Sequence, residues 1–299
     1  MKYLSVVEIA KKWGLSERTV RNYCATSKIP NVVLKGKTWF IPEESVRPSR
    51  TNKSLKPRDL LTVLKEEKSL GIRGGIYHKI QVMMTYNSNH IEGSTLTQEQ
   101  TRLIYETRGV INNKNSVLNV DDLLETMNHF RCIDMVIDYS KRQLSETFIK
   151  KLHSSLKQGT CSSLSNTSVA GEYKKFPNEV SSRSTTPVEL VDREIKKLLS
   201  SYNKKKTKTL FDLVEFHVLF ERIHPFQDGN GRVGRLILLK ECLRYNIVPF
   251  IITGRIKLFY YRGLDRWSRD KGYLMDTCLS CQDEFKKYLD YFKIKYKDD

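Results

Sequence analysis

Residues 224–235 read His-Pro-Phe-Gln-Asp-Gly-Asn-Gly-Arg-Val-Gly-Arg, and an apolar pattern over Leu210–Ile223 runs directly into them. That pattern repeats every three or four residues, which is typical of a deeply buried helix. Helical spacing resumes at Gly231. The stretch therefore predicts a functional loop between two central helices, with Phe226 as the one member that points back into the core.

The polar side chains of this loop suit a metal–polyphosphate. His224 can accept a proton near neutral pH, and Asp228 is a hard oxygen ligand for Mg²⁺. The turn at Gly229, Asn230 and Gly231 starts a helix whose N–H groups form an anion cradle. Arg232 and Arg235 lie three apart on that helix and can fork onto phosphates. The alternative, that these groups only cap and cross-link a helix start, explains any two of them but not the whole set.

Composition is that of a soluble globular protein, with 39% hydrophobic and 29% charged residues over 299 positions. The net charge of +18 predicts a polyanionic partner, although a basic surface can also serve solubility alone. No apolar run approaches the ~20 residues that span a bilayer. The first residues lack the apolar core of a signal peptide. The cysteines are scattered, and we read the one Cys-x-x-Cys pair, at 278–281, as buried thiols. We therefore expect a cytoplasmic protein without a membrane partner.

The chain divides at a polar, basic stretch with two prolines, residues 47–58, which reads as a linker. We therefore expect a small domain at 1–46 and a large one at 59–299. Residues 1–58 carry 13 Lys and Arg against 4 Glu, a net charge of +9, so half of the excess charge lies in a fifth of the length.

The small domain shows two helix starts and a hairpin. Ser5 and Glu8 form a capping-box pattern before a helix at Val6–Trp13. Ser16 caps a second helix, roughly Glu17–Thr26, and Val32–Pro42 reads as a β-hairpin wing.

This arrangement resembles the winged helix-turn-helix modules of the MerR and excisionase type. The resemblance implies that the second helix enters the major groove and that the wing touches phosphates. The alternative is a small packing or protein-interaction domain with a solvated basic face. The implied DNA-binding residues are Arg18, Thr19, Arg21, Asn22, Lys35 and Lys37.

The large domain is mostly α-helical by its periodicity, and strand-like alternation occurs only around Glu172–Val180. We predict a helical bundle with a short β-hairpin flap. The predicted helices are Asp121–Arg142, Ser145–Lys157, Val188–Tyr202, Leu210–Ile223, Gly231–Tyr245, Lys257–Arg269 and Asp276–Phe292.

The loop at 224–235 resembles the active-site motif of Fic-domain proteins, His-x-Phe-x-Asp/Glu-Gly-Asn-Gly-Arg-x-x-Arg, at every specified position. Most such proteins transfer AMP from ATP to a hydroxyl side chain of a target protein, with Mg²⁺. The resemblance implies that His224 is the general base and that Asp228 holds Mg²⁺. Gly229, Asn230, Gly231, Arg232 and Arg235 would then bind the nucleotide phosphates.

Two further segments extend the resemblance. Tyr173, Lys174 and Val180 fall where Fic proteins carry a flap that pins the target backbone by strand addition, although many have arginine in place of Lys174. Tyr260 and Tyr261 fall where aromatic residues line an adenine pocket; taken alone they read as core.

Upstream, Ser88-Asn89-His90-Ile91-Glu92-Gly93 fits the inhibitory pattern of self-inhibited Fic proteins that carry an N-terminal inhibitory helix, here near 78–93. The resemblance implies that Glu92 pairs with Arg235 and blocks the γ-phosphate, while Ser88 stabilises the inhibitory turn. The alternative is an ordinary helix end with Gly93 as its stop.

The sequence thus predicts an autoinhibited protein adenylyltransferase that acts on Ser, Thr or Tyr of a target protein or of itself, and that removes AMP if Glu92 can position water. The alternative is a DNA-binding transcription regulator whose Fic domain senses nucleotides. A homodimer is consistent with the class, although no residue specifies one.

Overall fold

The computed structural model describes residues 2–36, 38–48, 58–111, 117–164, 168–180 and 183–297. Its contacts divide the chain into two compact units, Met1–Lys56 and Pro57–Asp299. Most of the linker predicted at 47–58, and Lys37 of the predicted DNA-binding set, lie outside the described residues.

The N-terminal unit contains two helices and a small antiparallel sheet. The helices are α1 (Val6–Trp13) and α2 (Glu17–Ala25), and the strands are β1 (Tyr3–Ser5), β2 (Val33–Lys35) and β3 (Thr38–Pro42), in the order β1-β3-β2. The capping box predicted at Ser5 and Glu8 is confirmed, as are the bounds of α1. The strand β1, which no sequence pattern indicated, pairs with β3 and closes the unit over a core. That core comprises Val6, Ile9, Ala10, Val20, Cys24, Ile29 and Ile41.

The larger unit is built from helices, as predicted. They are α3 (Leu60–Leu70), α4 (Ile76–Ile91), α5 (Gln98–Thr107), α6 (Val120–Tyr139), α7 (Glu146–Lys157), α8 (Val191–Lys204), α9 (Leu210–Ile223), α10 (Asn230–Tyr245), α11 (Lys257–Arg266) and α12 (Gly272–Tyr291). Helix α9 has the predicted bounds. Helix α8 begins three residues later than predicted, because a 3-10 turn at Val188–Leu190 follows Pro187.

Helix α10 packs on α9, α6, α7 and α4, and α9 also packs on α8, so both helices that flank the loop are held in place. Phe220, Phe226, Val233 and Leu236 are fully buried in the main core, so the predicted inward orientation of Phe226 is confirmed. The buried state predicted for Cys278 and Cys281 is also confirmed. Within the described ranges, none of the helices combines the length and apolarity that crossing a membrane requires.

A short hairpin is present, as predicted, but it begins near the end of the Glu172–Val180 segment instead of spanning it. Among the described residues in this part of the chain, the paired strands are β4 (Glu179–Val180) and β5 (Arg183–Ser184). Residues before β4 form turns instead, because the Lys174 N–H donates to the carbonyl of Pro225, 2.8 Å away, and not to a neighbouring strand.

Candidate active site

The loop between α9 and α10 is held by its own polar groups. His224 ends α9 in the left-handed region, with φ 52° and ψ 62°, and its N–H donates to the Phe220 carbonyl. Asn230 locks the loop from the other side, because its amide donates to the Phe226 carbonyl at 2.8 Å and accepts from the Phe226 N–H at 2.9 Å. Phe226 in turn stacks on His153 with 3.8 Å between ring centroids. The imidazole of His224 is therefore presented from a rigid turn.

His224 has the electrostatic character of a base. Burial lowers the pKa of His224 below its ordinary value of 6.5, and the positive charge of Lys174 acts in the same direction. The imidazole is consequently neutral at pH 7 and able to accept a proton.

Asp228 is ionised and surrounded by donors. Its Oδ1 accepts from the Gly229 N–H at 2.6 Å, and its Oδ2 accepts from Lys157 Nζ at 2.5 Å. Arg232 lies 3.3 Å from Oδ1. Burial alone would raise the pKa of Asp228, but the charges of Arg232 and Lys157 outweigh it and lower the pKa to about 2. About half of the side chain, 51%, remains exposed, so the carboxylate also faces solvent.

A buried carboxylate that the sequence did not indicate organises these cations. Glu125 on α6 bonds Lys157 through one oxygen and Arg232 Nη1 through the other. All three side chains are buried. Arg232, predicted to bind phosphate, is thus tied to Glu125 and Asp228 in this structure. Neither Glu125 nor Lys157 belongs to a sequence motif, and only the packing of α6 and α7 against α10 brings them to the loop.

The contact predicted between the upstream motif and the active-site loop is present. Glu92, at the end of α4, accepts from Arg235 Nη2 at 2.7 Å. Arg235 also donates to the Ser88 hydroxyl and to the Ser88 carbonyl, each at 3.0 Å. Burial would raise the pKa of Glu92, but the charge of Arg235 holds it below the ordinary value. The pair is therefore ionised at neutral pH.

The Glu92 carboxylate also lies against the start of α10. A Cβ added at Gly231 would collide with Glu92 Oε1. Helix α10 has no side-chain cap at its first turn. A carboxylate thus occupies the position that the sequence assigned to a phosphate, at the positive end of the helix dipole.

The two predicted adenine-pocket residues differ in exposure, since Tyr260 is buried and Tyr261 is partly buried. Tyr260 is 1% exposed, and its hydroxyl lies 2.6 Å from Nε2 of the buried His217. Its ring belongs to a core cluster and presents no surface to a nucleotide, so that assignment is corrected. Tyr261 is partly buried beside it and remains a candidate.

The predicted flap residues Tyr173 and Lys174 fasten the flap to the loop. Lys174 Nζ donates to Asn178 and Thr185, and Asn178 donates to the Phe226 carbonyl. The Tyr173 ring lies 5.8 Å from that of Phe226. Both side chains point into the protein, whereas Val180 lies in the hairpin β4–β5 beyond them.

Part of this chain is similar to known proteins. Residues 143–242 match the model of the Fic/DOC family. The chain is similar to the protein named protein adenylyltransferase Fic from Nematostella vectensis, at 28% identity over 200 residues, which is 60% of this chain and 42% of the relative. It is also 28% identical over 193 residues to protein adenylyltransferase fic-1 from Caenorhabditis elegans, covering 61% and 35% of the two chains. The chain thus spans less than half the length of these relatives.

Two solved structures share the fold. A Fic-domain-containing signalling protein from Bacteroides thetaiotaomicron superposes with a TM-score of 0.62 at 22% identity, over 80% of this chain and 99% of that one. Residues 134–508 of Fic-1 from C. elegans give a TM-score of 0.58 at 19% identity, over 78% and 72%. The loop at 224–235 lies inside residues 143–242, the segment that matches the Fic/DOC family, whereas Ser88 and Glu92 precede that segment. Residues 143–242 therefore match a Fic domain, inside the larger segment 59–299 to which the sequence resemblance assigned it.

Proposed function

We propose that this chain is an autoinhibited protein adenylyltransferase, which transfers AMP from ATP to a hydroxyl side chain of a target protein or of itself. The observation that carries the proposal is the pairing of Arg235 with Glu92 at the start of α10, beside a neutral His224 and an ionised Asp228. The names of the curated relatives support the reaction class.

The residues of the loop fit in-line transfer. His224 accepts the proton of the target hydroxyl as its oxygen attacks the α-phosphorus. The new bond joins that oxygen to phosphorus, and the bond to the bridging oxygen breaks to release pyrophosphate. The start of α10 offers N–H donors to the phosphates, and positioning with charge stabilisation supplies most of the rate in such reactions.

Mg²⁺ fits the donors at this loop. Asp228 is a hard, ionised carboxylate with half of its side chain exposed. Among the described residues, no group of three or more His, Cys, Asp or Glu could hold a metal by itself. A single protein carboxylate suits a cation that takes its other ligands from phosphates and water. Bound there, Mg²⁺ would neutralise phosphate charge, with Asp228 as its protein ligand.

Glu92 supports the autoinhibited state, since its carboxylate takes Arg235 and lies on the anion cradle. A nucleotide phosphate must displace it, so the two compete for one arginine. If a water molecule binds to Glu92 when AMP is on the target, the same site removes AMP.

The rate of AMP transfer should depend on pH through His224. Because burial lowers the pKa of His224, we expect the activity of Glu92→Gly to be full at neutral pH and to fall on acidification, with a midpoint below 6.5. A histidine-selective NMR titration, with the signal assigned from its loss in His224→Ala, measures that pKa independently. A midpoint above 7 would contradict the assignment. Measuring the nucleotide affinity at each pH shows whether a fall in rate comes from protonation of His224 or from weaker nucleotide binding.

Mass spectrometry tests the reaction class. Incubating Glu92→Gly with ATP and Mg²⁺ should add one adenylate mass to the chain or to an added protein, with pyrophosphate as co-product. Addition of a phosphate mass, or release of ADP, would show that the reaction is phosphoryl transfer and not AMP transfer.

A second function, DNA binding, is supported by the N-terminal unit. Arg18, Arg21 and Asn22 lie exposed along α2, and Lys35 lies exposed on the hairpin. The Thr19 hydroxyl contacts the capping Ser16, so it is less available for a base.

We expect Arg18→Ala with Arg21→Ala to weaken binding to a mixed-sequence DNA duplex, because α2 loses two cations that face outward. Fluorescence anisotropy against salt concentration measures this, and the slope of log K against log salt should become shallower by about 0.9 for each phosphate that the protein no longer neutralises. Lys11→Ala on α1 is the control for charge alone. If the control and the α2 variant lose the same DNA affinity, binding depends on overall positive charge and not on the surface of α2.

A further inference from the structure

We propose that Lys157 is a positioning residue of this site. Its ammonium group is the counter-ion of Asp228, and it must move away from that carboxylate when a divalent cation binds there. The inference rests on the proposed function in one respect, the role of Asp228 as the metal ligand. It adds a residue outside every motif that the sequence offered.

Lys157 is built into the site. It is the last residue of α7, it is 4% exposed, and its Nζ lies 2.5 Å from Asp228 Oδ2. The guanidinium of Arg232 is farther from Asp228, at 3.3 Å and 3.4 Å. Lys157 therefore makes the closest cationic contact to the carboxylate.

Both oxygens of Asp228 are engaged before any metal arrives. Oδ2 accepts from Lys157, and Oδ1 accepts from the Gly229 N–H. A magnesium ion requires a carboxylate oxygen at roughly 2.0–2.1 Å. An ammonium group on the same oxygen would repel a divalent cation at that distance. Cation binding at Asp228 thus requires Lys157 to withdraw.

Lys157 has an alternative acceptor at hand. Its Nζ already contacts Glu125, whose second oxygen is bonded to Arg232. The flexible lysine stem lets the ammonium group move while it keeps that contact. Two positive charges, on Lys157 and Arg232, balance two negative charges, on Glu125 and Asp228. This cluster of four side chains is therefore neutral until the charges of the metal and the nucleotide enter together. Lys157 would therefore favour binding of the metal with its nucleotide over binding of the metal alone.

Mn²⁺ binding, followed by electron paramagnetic resonance without nucleotide, tests the exchange. We expect Lys157→Met to bind Mn²⁺ tighter than the wild-type protein, on the order of tenfold or more, because one positive charge beside the ligand is removed. Lys157→Arg should bind as weakly as wild type, and Asp228→Asn should abolish the gain. Unchanged or weaker binding in a folded Lys157→Met protein overturns the proposal, as does a gain that persists in the double variant with Asp228→Asn.

A second variant guards against misfolding. Lys157→Met leaves Glu125 with one partner fewer, so Lys157→Met with Glu125→Gln removes a cation and an anion together. Compared with Glu125→Gln alone, this double variant should show a gain in Mn²⁺ affinity, and a failure to do so also overturns the proposal. These readouts do not involve AMP transfer, so an inactive protein with the expected Mn²⁺ pattern would contradict the proposed function and leave the role of Lys157 standing.

Discussion

Replacing Glu92 by glycine is expected to raise the rate of AMP incorporation by about 5- to 150-fold, the usual span of a coupling between competing sites. Glu92 holds Arg235 Nη2 at 2.7 Å, and its carboxylate lies against Gly231, so both the arginine and the helix start are taken from the nucleotide. Removing the carboxylate releases both. The initial rate of label transfer from ATP at saturating Mg²⁺ measures the effect.

Two controls accompany this variant. Glu92→Gln keeps the size and a hydrogen-bond acceptor for Arg235 but loses the charge, so its rate should be intermediate. The melting temperature of Glu92→Gly should fall, because a buried arginine loses its ionic partner. A faster rate in a less stable protein identifies released inhibition rather than improved folding. Equal rates in wild type and both variants would contradict the competition.

Replacing His224 by alanine in the Glu92→Gly protein is expected to lower the AMP transfer rate by about 10²- to 10⁴-fold, the usual contribution of a positioned general base. The neutral imidazole is aimed from a rigid turn, and no loop residue between Pro225 and Arg235 offers a second neutral nitrogen base. Single-turnover transfer to a fixed protein target measures the loss.

Nucleotide binding is the control for His224→Ala. The anion cradle at the start of α10 and Arg235 remain in place, so ADP affinity should change by no more than a few-fold. A large loss of ADP affinity with an unchanged single-turnover rate would assign His224 to binding instead of proton transfer.

The fold was predictable where helical periodicity is strong. Helix α9 has the predicted bounds because its apolar residues and its Thr209 capping box specify both the element and its start. The extent of the hairpin flap was not predictable, because the Lys174 N–H donates to the Pro225 carbonyl and holds the residues before β4 in turns. The start of α8 was misplaced by a local cause, the 3-10 turn after Pro187.

The candidate site divides in the same way. The loop at 224–235 and its contact with Glu92 were predictable from motifs. The residues of the loop are contiguous in the sequence, and Glu92 lies at a fixed place at the end of a helix. Glu125 and Lys157 could not be found, since they come from two helices and meet Asp228 only through packing. Tyr260 was assigned to a pocket because an aromatic residue reads alike whether it packs in the core or stacks on a ligand.

The most direct measurement compares α-labelled with γ-labelled ATP for three proteins: wild type, Glu92→Gly, and Glu92→Gly with His224→Ala. If Glu92 restrains an adenylyltransferase through Arg235, only the α-label becomes attached to protein. Labelling of protein by the α-label is weak in wild type, strong in Glu92→Gly and absent when His224 is also replaced. Attachment of the γ-label, or α-labelling of wild type as strong as that of Glu92→Gly, would contradict the account.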